Sequence, residues 1–289
     1  MSTLDHFESA FRSAAKDQFR WQAPTLRKIL VVSDRNRAEA EPYARALQTF
    51  LARALEGHAE TPQWELLGAE DYALIGELHR AIESHEPDLI CTYRQLHSSA
   101  ATFEYSLGEY IHVLTQATTV PVLLTPNPAQ GDRLAAHALE NTDVVMAMTD
   151  HLQGSDRLVN YAAAFTETGG KLWLTHVEDE LGFERIIEAI GKIPQIETDQ
   201  ARTLIHDKLL QQPIDYVESC QVVIEARRPK LRVKPLVVMG RQLATYRRLV
   251  RDHEVDLLVM NTKDDEQLAM HGMAYPIAVE IHDIPLLLL

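Results

Sequence analysis

The stretch Asp88-Leu-Ile-Cys-Thr-Tyr93 decides the fold that this sequence predicts. It is followed by a polar loop, by Gly108, by a helix-like segment and by the apolar run Pro121-Val-Leu-Leu-Thr125. Short apolar runs without polar alternation are typical of central parallel strands that helices cover on both faces. The arrangement therefore predicts a buried strand, a loop, a helix and a second buried strand.

The same arrangement returns at the end of the chain. Asp256-Leu-Leu-Val-Met-Asn261 is followed by a polar loop, by Gly272 and by Pro285-Leu-Leu-Leu-Leu289. In both copies 13 positions separate the glycine from the proline. Open parallel sheets bind ligands in the loops that follow the carboxyl ends of their strands, so each polar loop is a candidate site.

Strands and helices alternate around both copies. Further strands are predicted at residues 28–34, 64–68, 143–150, 171–177 and 230–238. Helices are predicted at residues 39–55, 72–84, 155–168 and 241–253, with a helical region after 177 that breaks at 191–194 and at Pro213. Alternation of this kind implies right-handed strand–helix–strand crossovers and a parallel sheet.

The repeat divides the chain into two α/β domains. We assign residues 27–126 to the first domain and residues 142–289 to the second. Turn-forming residues at 126–131 favour a linker over residues 127–141. The first domain is shorter, and we expect it to lack one strand–helix unit between its first helix and the strand at 64–68.

The segment before the first domain is amphipathic. Leu4, Phe7 and Phe11 recur at the spacing of one helix face. Residues 1–26 are therefore predicted to form an added N-terminal helix that packs on the body of the protein.

Composition is that of an ordinary globular protein, with 46% hydrophobic residues and a formal net charge of −14. This charge argues against nucleic acid, which needs a basic surface, and against an anionic membrane. No apolar run approaches the roughly 20 residues of a membrane span, and the first residues lack the pattern of a signal peptide. We therefore expect a cytoplasmic protein.

The order of these motifs resembles the universal stress protein family in its tandem two-domain form. The similar segments include Leu174-Thr-His-Val177, which is like a second-strand motif of the family, and the two strands that begin near Pro87 and Val255. The first strands, 29–34 and 144–150, also match. No single motif is specific, and the resemblance rests on their order, which occurs twice.

The resemblance implies a fold and a mode of pairing. It implies two doubly wound, mostly parallel sheets of four or five strands each, similar to adenine-nucleotide-binding α/β domains. Because the family pairs its domains through their last strands, residues 121–125 and 285–289 are expected to meet antiparallel. The two domains would then form a pseudo-dimer within one chain.

The resemblance also implies five nucleotide-binding positions. Asp34 and Asp150 match an adenine-contacting acid, Val177 matches a residue that lines the base, and Gly108 and Gly272 match a glycine of the phosphate loop. Each has a simpler interpretation as well. An aspartate after a strand often caps the next turn, and a valine in a buried strand is often only core.

The phosphate loops depart from the family pattern in both domains. Tyr93 and Asn261 stand where the first glycine is expected, and Glu109 and Met273 stand where a hydroxyl is expected. The second loop also carries the acidic run 264–266. Phosphate binding needs close backbone approach and free amides in surroundings that are not negative. ATP binding is therefore expected to be weak or absent.

These observations predict a non-enzymatic, regulatory stress protein with degenerate ATP-binding motifs. It would act through a small-molecule ligand or an unidentified protein partner, and a homodimer is left open. One alternative is a protein that binds AMP or ATP in its second domain, and another is a nucleotide hydrolase. No catalytic motif and no metal-ligand spacing among the 13 histidines supports a catalytic or metal site.

Overall fold

The computed structural model describes residues 18–56, 60–98, 106–128, 138–149, 152, 154–262 and 274–289. The strands are β1 (Lys28–Val32), β2 (Gln63–Leu67), β3 (Leu89–Tyr93), β4 (Val122–Thr125), β5 (Val144–Thr149), β6 (Lys171–Asp179), β7 (Arg232–Gly240), β8 (Leu257–Met260) and β9 (Leu286–Leu288). The helices are α1 (Arg37–Ala52), α2 (Ile75–His85), α3 (Glu109–Ala117), α4 (Asp156–Phe165), α5 (Glu180–Ile190), α6 (Thr198–Arg227), α7 (Gln242–Asp252) and α8 (Ala274–Glu280).

All nine strands belong to one sheet, in the order β2-β1-β3-β4-β9-β8-β5-β6-β7. Every neighbouring pair is parallel except β4 and β9, which run antiparallel. At this junction Leu123 lies opposite Leu287, and both side chains are fully buried. The predicted α/β fold and the predicted antiparallel pairing of the two last strands are confirmed.

The sheet shows how the two halves correspond. The first contributes β2-β1-β3-β4 and the second contributes β9-β8-β5-β6-β7, so the first has one described strand fewer. β2 pairs directly with β1, as β6 pairs with β5. The described strand without a counterpart is thus the edge strand β7, which comes after β6. Our expectation that the missing unit precedes β2 is therefore wrong in its position.

Helices cover both faces of the sheet. Alternate residues of β1 show this, because Ile29 and Val31 belong to one core while Leu30 and Val32 belong to the other. Helices α1, α4 and α6 bury apolar residues in the first core, and helices α2, α3, α7 and α8 bury theirs in the second. The apolar runs of the sequence are thus central strands, covered on both sides as predicted.

Pro42 and Pro213 lie inside long helices. Pro42 is in α1, which begins at Arg37, where the Asn36 side chain accepts from the Glu39 amide at 3.0 Å. Pro213 is in α6, whose 30 residues run through it without interruption, so the predicted break there is wrong. The predicted break at 191–194 is confirmed, because it falls between α5 and α6.

The predicted N-terminal helix lies mostly outside the described residues. The described part, 18–26, is not helical. Its amides bind side chains instead: the Phe19 amide donates to Ser219 Oγ at 3.2 Å, and the Gln22 amide donates to Asn160 Oδ1 at 2.9 Å. Phe19 is itself buried in the first core. Residues 18–26, which we call the strap, are therefore held against α4 and α6.

The exposed edge strand β7 is blunted by a proline. The Arg232 amide donates to the Gly170 carbonyl on the β6 side, and donors alternate in direction along a strand, so position 235 faces outward. Pro235 occupies that position and has no N–H to offer. Proline on an outward position opposes pairing with another strand.

Among the described residues no helix is both long and apolar enough to cross a membrane.

Candidate functional site

The candidate site of the first half lies where β1 and β3 end side by side. The chain leaves β1 toward α1 and β2 on one side, while β3 leads to β4 on the other. Such a divergence opens a crevice at the carboxyl edge of a parallel sheet, which is where open α/β folds bind ligands. Asp34 and Tyr93 stand at this divergence.

Hydrogen bonds within the chain occupy the Asp34 carboxylate on both oxygens. The Tyr93 hydroxyl donates to Oδ1, and the His97 amide donates to Oδ2 at 2.7 Å. The Tyr93 oxygen also lies 3.0 Å from Ser33 Oγ, and the Tyr72 hydroxyl donates to the Ser33 carbonyl at 3.0 Å. Asp34 therefore caps the loop after β3, and not the turn that directly follows β1, as its simpler sequence interpretation had it.

The Tyr93 ring takes the space that a glycine would leave open. The side chain is almost fully buried and meets the Tyr43 ring edge to face, with centroids 5.2 Å apart. Burial, followed by the hydrogen bond to Asp34, raises the pKa of Tyr93 to about 12. The phenol therefore stays protonated at neutral pH and keeps donating to the carboxylate.

Gly108 has a packing role in this structure. Its φ of +90° is rarely adopted by other residues, and a Cβ there would lie 2.9 Å from the Gln95 Cα. The Gln95 amide donates to the Leu107 carbonyl at 2.8 Å, which holds the two segments together. The Gly108 amide donates to Ser106 Oγ at 3.1 Å. This amide is thus used within the loop.

Two residues of the loop after β3 adopt left-handed backbone conformations. Gln95 has a φ of 61° and His97 a φ of 56°. Residues with a side chain adopt this region at a cost and keep it only where the surroundings impose it. The bond from the His97 amide to Asp34 and the bond from the Gln95 amide to Leu107 impose it here.

Arg94 joins this loop to the second half, a contact that the sequence did not indicate. Its guanidinium donates to the carbonyls of Ala278 and Ile281, at and just beyond the end of α8. Helix carbonyls at this end lack partners within the helix, and a cation there also offsets the helix dipole. Burial lowers the pKa of Arg94 to about 10, so it remains charged at neutral pH. A strand-end arginine carries no sequence signal for such a contact.

The second half can be described only in part. Asp150 and Gly272 lie outside the described residues. Val177 is fully buried in the second core, so its side chain offers no surface to a ligand in this structure. At the end of β8 the side-chain Nδ2 of Asn261 donates to Ser155 Oγ at 3.3 Å, which ties β8 to the start of α4.

Other chemistry-bearing side chains near these strand ends have structural surroundings. His176 is buried and lies 3.1 Å from Glu178 Oε2 through its Nε2, as expected for a hydrogen-bonded core histidine. Met148 and Met260 are buried in the second core. Burial raises the pKa of the Cys91 and Cys220 thiols, so neither is a thiolate at neutral pH.

No group of three or more metal-ligating side chains is placed to share an ion within the described part of the chain. The Tyr93 hydroxyl is not activated as a nucleophile by Asp34, because that carboxylate accepts a hydrogen bond from the phenol and the pKa of the phenol is raised. The contacts at the first-half crevice can therefore hold a loop in place, and Asp34 and Tyr93 present no activated group to a substrate.

Several solved structures resemble this chain at low sequence identity. A universal stress protein from Archaeoglobus fulgidus DSM 4304 is 15% identical, with 91% of this chain and 85% of that chain covered and a TM-score of 0.48. A functionally unknown protein from Pseudomonas aeruginosa PAO1 is 13% identical, with 92% and 93% covered and a TM-score of 0.49. A hypothetical protein, the subject of a structure-based functional assignment, is 16% identical and covers 51% of this chain and 95% of its own length, with a TM-score of 0.41. No protein-family model and no curated protein matches the chain.

Proposed function

We propose that this chain is a tandem universal stress protein that acts in the cytoplasm without catalysis, through a small ligand or a protein partner. The order of the family's strand motifs, which occurs twice, supports the proposal. The sheet also supports it, because the two halves are joined through their last strands.

The observation that carries the proposal is the occupied Asp34 carboxylate. A purine base would need this carboxylate to accept its amino group, yet both oxygens already accept from Tyr93 and from the His97 amide. Displacing these donors would break the hydrogen bond of a buried phenol to a carboxylate, and losing a hydrogen bond to a charged group costs about 1.5–3 kcal/mol. The first half is therefore a poor nucleotide site.

The residues at the phosphate position of the first half also oppose nucleotide binding. Anions bind at helix N-termini because free amides point outward there. In α3 the first residue is Glu109, whose carboxylate stands at the helix N-terminus, and the preceding Gly108 amide donates to Ser106. A second negative charge from a triphosphate would be repelled. The sequence of the second loop, with its acidic run 264–266, has the same sign of charge.

Native mass spectrometry of the freshly purified protein tests this proposal. We expect the mass of the polypeptide without a copurified adenine nucleotide. The alternative function, AMP or ATP binding in the second half, predicts an added mass that disappears in Gly272→Val. Copurified nucleotide that depends on Gly272 would overturn the proposal in favour of that alternative. Another small molecule would identify the ligand class.

A further inference from the structure

A cavity of about 1000 Å³ lies at the amino ends of the strands, whereas the crevice of Asp34 lies at their carboxyl ends. It is bounded by residues 21–27, which lead into β1, and by residues 227–231, which lead into β7. The ends of α1 and α4 close it from the sides. Strands start here and helices end here, so the cavity belongs to the amino edge of the sheet.

The inner walls of the cavity are mostly apolar. They are formed by Trp21, Leu26, Ala54, Ala164 and Leu231. Leu26, Ala164 and Leu231 belong to the first core, Ala54 is also buried, and Trp21 is half-buried. Binding sites for small molecules typically occupy about 300–1,000 Å³ and combine apolar walls with a few polar groups. The cavity has the size and lining of such a site.

The charges around the cavity have an excess of cations. Among the described residues, four cationic and two anionic side chains contribute to its lining: Arg27, Arg227, Arg228, Lys230, Glu56 and Glu60. This excess stands out on a chain whose formal net charge is −14. A local concentration of one sign of charge attracts ligands of the opposite sign.

These cations differ in how they are used. Arg228 donates to the carbonyls of Ala163 and Thr166, so it mainly caps the end of α4. Arg27 lies 3.9 Å from Asp88 and keeps a largely exposed side chain. Arg227 and Lys230 line the cavity and are exposed. The last three are thus available to a ligand without dismantling a helix cap.

We propose that this cavity binds an amphipathic organic monocarboxylate, with its apolar body against Trp21 and Leu26 and its carboxylate near Arg227 and Lys230. The site is separate from the crevice of Asp34, so it stands or falls independently of whether nucleotides bind there. An acyl chain and an aryl ring share the required chemistry, and the experiment distinguishes them.

Titration with 1-anilinonaphthalene-8-sulfonate, an aromatic anion that fluoresces in apolar surroundings, tests the site directly. We expect saturable binding by the folded protein. The double variant Arg227→Glu with Lys230→Glu should weaken this binding by at least about tenfold, which corresponds to about 1.4 kcal/mol. Thr168→Trp, which fills the cavity from an exposed wall position without changing charge, should weaken it as well.

A charge-matched control separates the site from the overall charge of the protein. Lys208→Glu with Arg248→Glu changes the net charge equally at exposed positions away from the cavity lining. We expect its affinity to stay within about twofold of the parent, because exposed distant charges are screened. Equal weakening in both double variants, or no saturable binding by the parent, would overturn the proposal.

Competition then defines the ligand class. Octanoate should displace the probe, whereas octan-1-ol and acetate should not, because one lacks the charge and the other lacks the apolar body. Stronger displacement by 2-naphthoate than by octanoate would assign the site to aryl acids, and the reverse order would assign it to acyl acids. Displacement by octan-1-ol as strong as that by octanoate would contradict the role of the cations.

Discussion

Tyr93 and Asp34 show how single residues change the use of a crevice. Both positions were singled out from the sequence, since Tyr93 stands where the resemblance implies a glycine and Asp34 follows the first strand. It did not show that the two side chains bind each other. That contact depends on the adjacent placement of β1 and β3, which neighbouring residues in the chain do not encode.

Tyr93→Phe tests this contact. The substitution removes the hydroxyl from Asp34 and from Ser33, so we expect the free energy of unfolding to fall by about 1–3 kcal/mol. Urea denaturation followed by circular dichroism measures the change. Tyr110→Phe is the control, because its hydroxyl donates to the Ala73 carbonyl at an exposed position and should cost less than about 0.5 kcal/mol. Equal costs would argue against the buried contact.

Asp256 makes the stability of the protein depend on pH. Burial, together with a hydrogen bond to Asp143 and the nearby Glu167 charge, raises its pKa from 3.8 to about 7. Since the folded-state pKa exceeds the unfolded one, the contribution of this group to stability is greatest below pH 4 and is lost as the pH rises to 7. The folded protein thus carries an unfavourable carboxylate above pH 7.

Asp256→Asn should therefore stabilise the protein at pH 8 by about 1–2 kcal/mol, allowing for partial exposure of the group. The amide oxygen can still accept from the Val144 amide, as the carboxylate does at 2.9 Å. Thermal unfolding at pH 8 and pH 5 measures the gain, which should shrink at pH 5. Asp88→Asn is the matched change in the first half. It should destabilise slightly at pH 8, because it removes the negative charge beside Arg27, whereas the amide oxygen can still accept from the two backbone amides.

At the scale of elements, the positions of the strands could be predicted from their apolar composition. The predicted strands and helices reappear within a few residues of their expected ends, because continuous apolar runs and helical spacing are strong local signals. Pro213 was misassigned, since packing of α6 against the sheet outweighs the lost hydrogen bond at one proline. The strap 18–26 was misassigned because its partners Asn160 and Ser219 lie far along the chain.

The strand β9 joins the two halves, and Leu287→Lys tests its importance. Leu287 is fully buried between β4 and β8, so a lysine there would bury an unpaired ammonium group. We expect a loss of at least about 3 kcal/mol or aggregation, by analogy with other unpaired buried charges. Leu204→Lys, at an exposed position of α6, should leave the melting temperature almost unchanged. A soluble Leu287→Lys protein with an unchanged melting temperature would contradict the junction.

At the scale of the whole molecule, the two halves are more closely joined than a linker implies. One sheet runs through both, and Arg94 of the first half binds the carbonyl end of α8 in the second. The duplication and its antiparallel junction could be predicted because the same motif order occurs twice. The Arg94 contact could not, because it joins residues 184 and 187 positions apart through the tertiary fold alone.

Some features of the candidate site could likewise be predicted from the sequence, and others could not. The absence of glycines at the ends of β3 and β8 was visible in the sequence, whereas the assignment of Asp34 and Gly108 to nucleotide-binding positions rests on the resemblance and stays a prediction. Their use as a loop cap and as a packing contact needed the structure, because both depend on Gln95 and His97 in left-handed conformations. Asp150 and Gly272 lie outside the described residues, so their roles stay predictions.

Isothermal titration with ATP tests most directly the central claim, that the ancestral type of phosphate site has been lost from this chain. We expect no saturable heat with ATP at up to millimolar concentrations, in the parent protein and in Gly272→Val alike. ADP and AMP serve as comparisons, and any AMP binding should depend on Asp150. A dissociation constant for ATP below about 100 μM, or about −5.5 kcal/mol, that is lost in Gly272→Val would contradict the account.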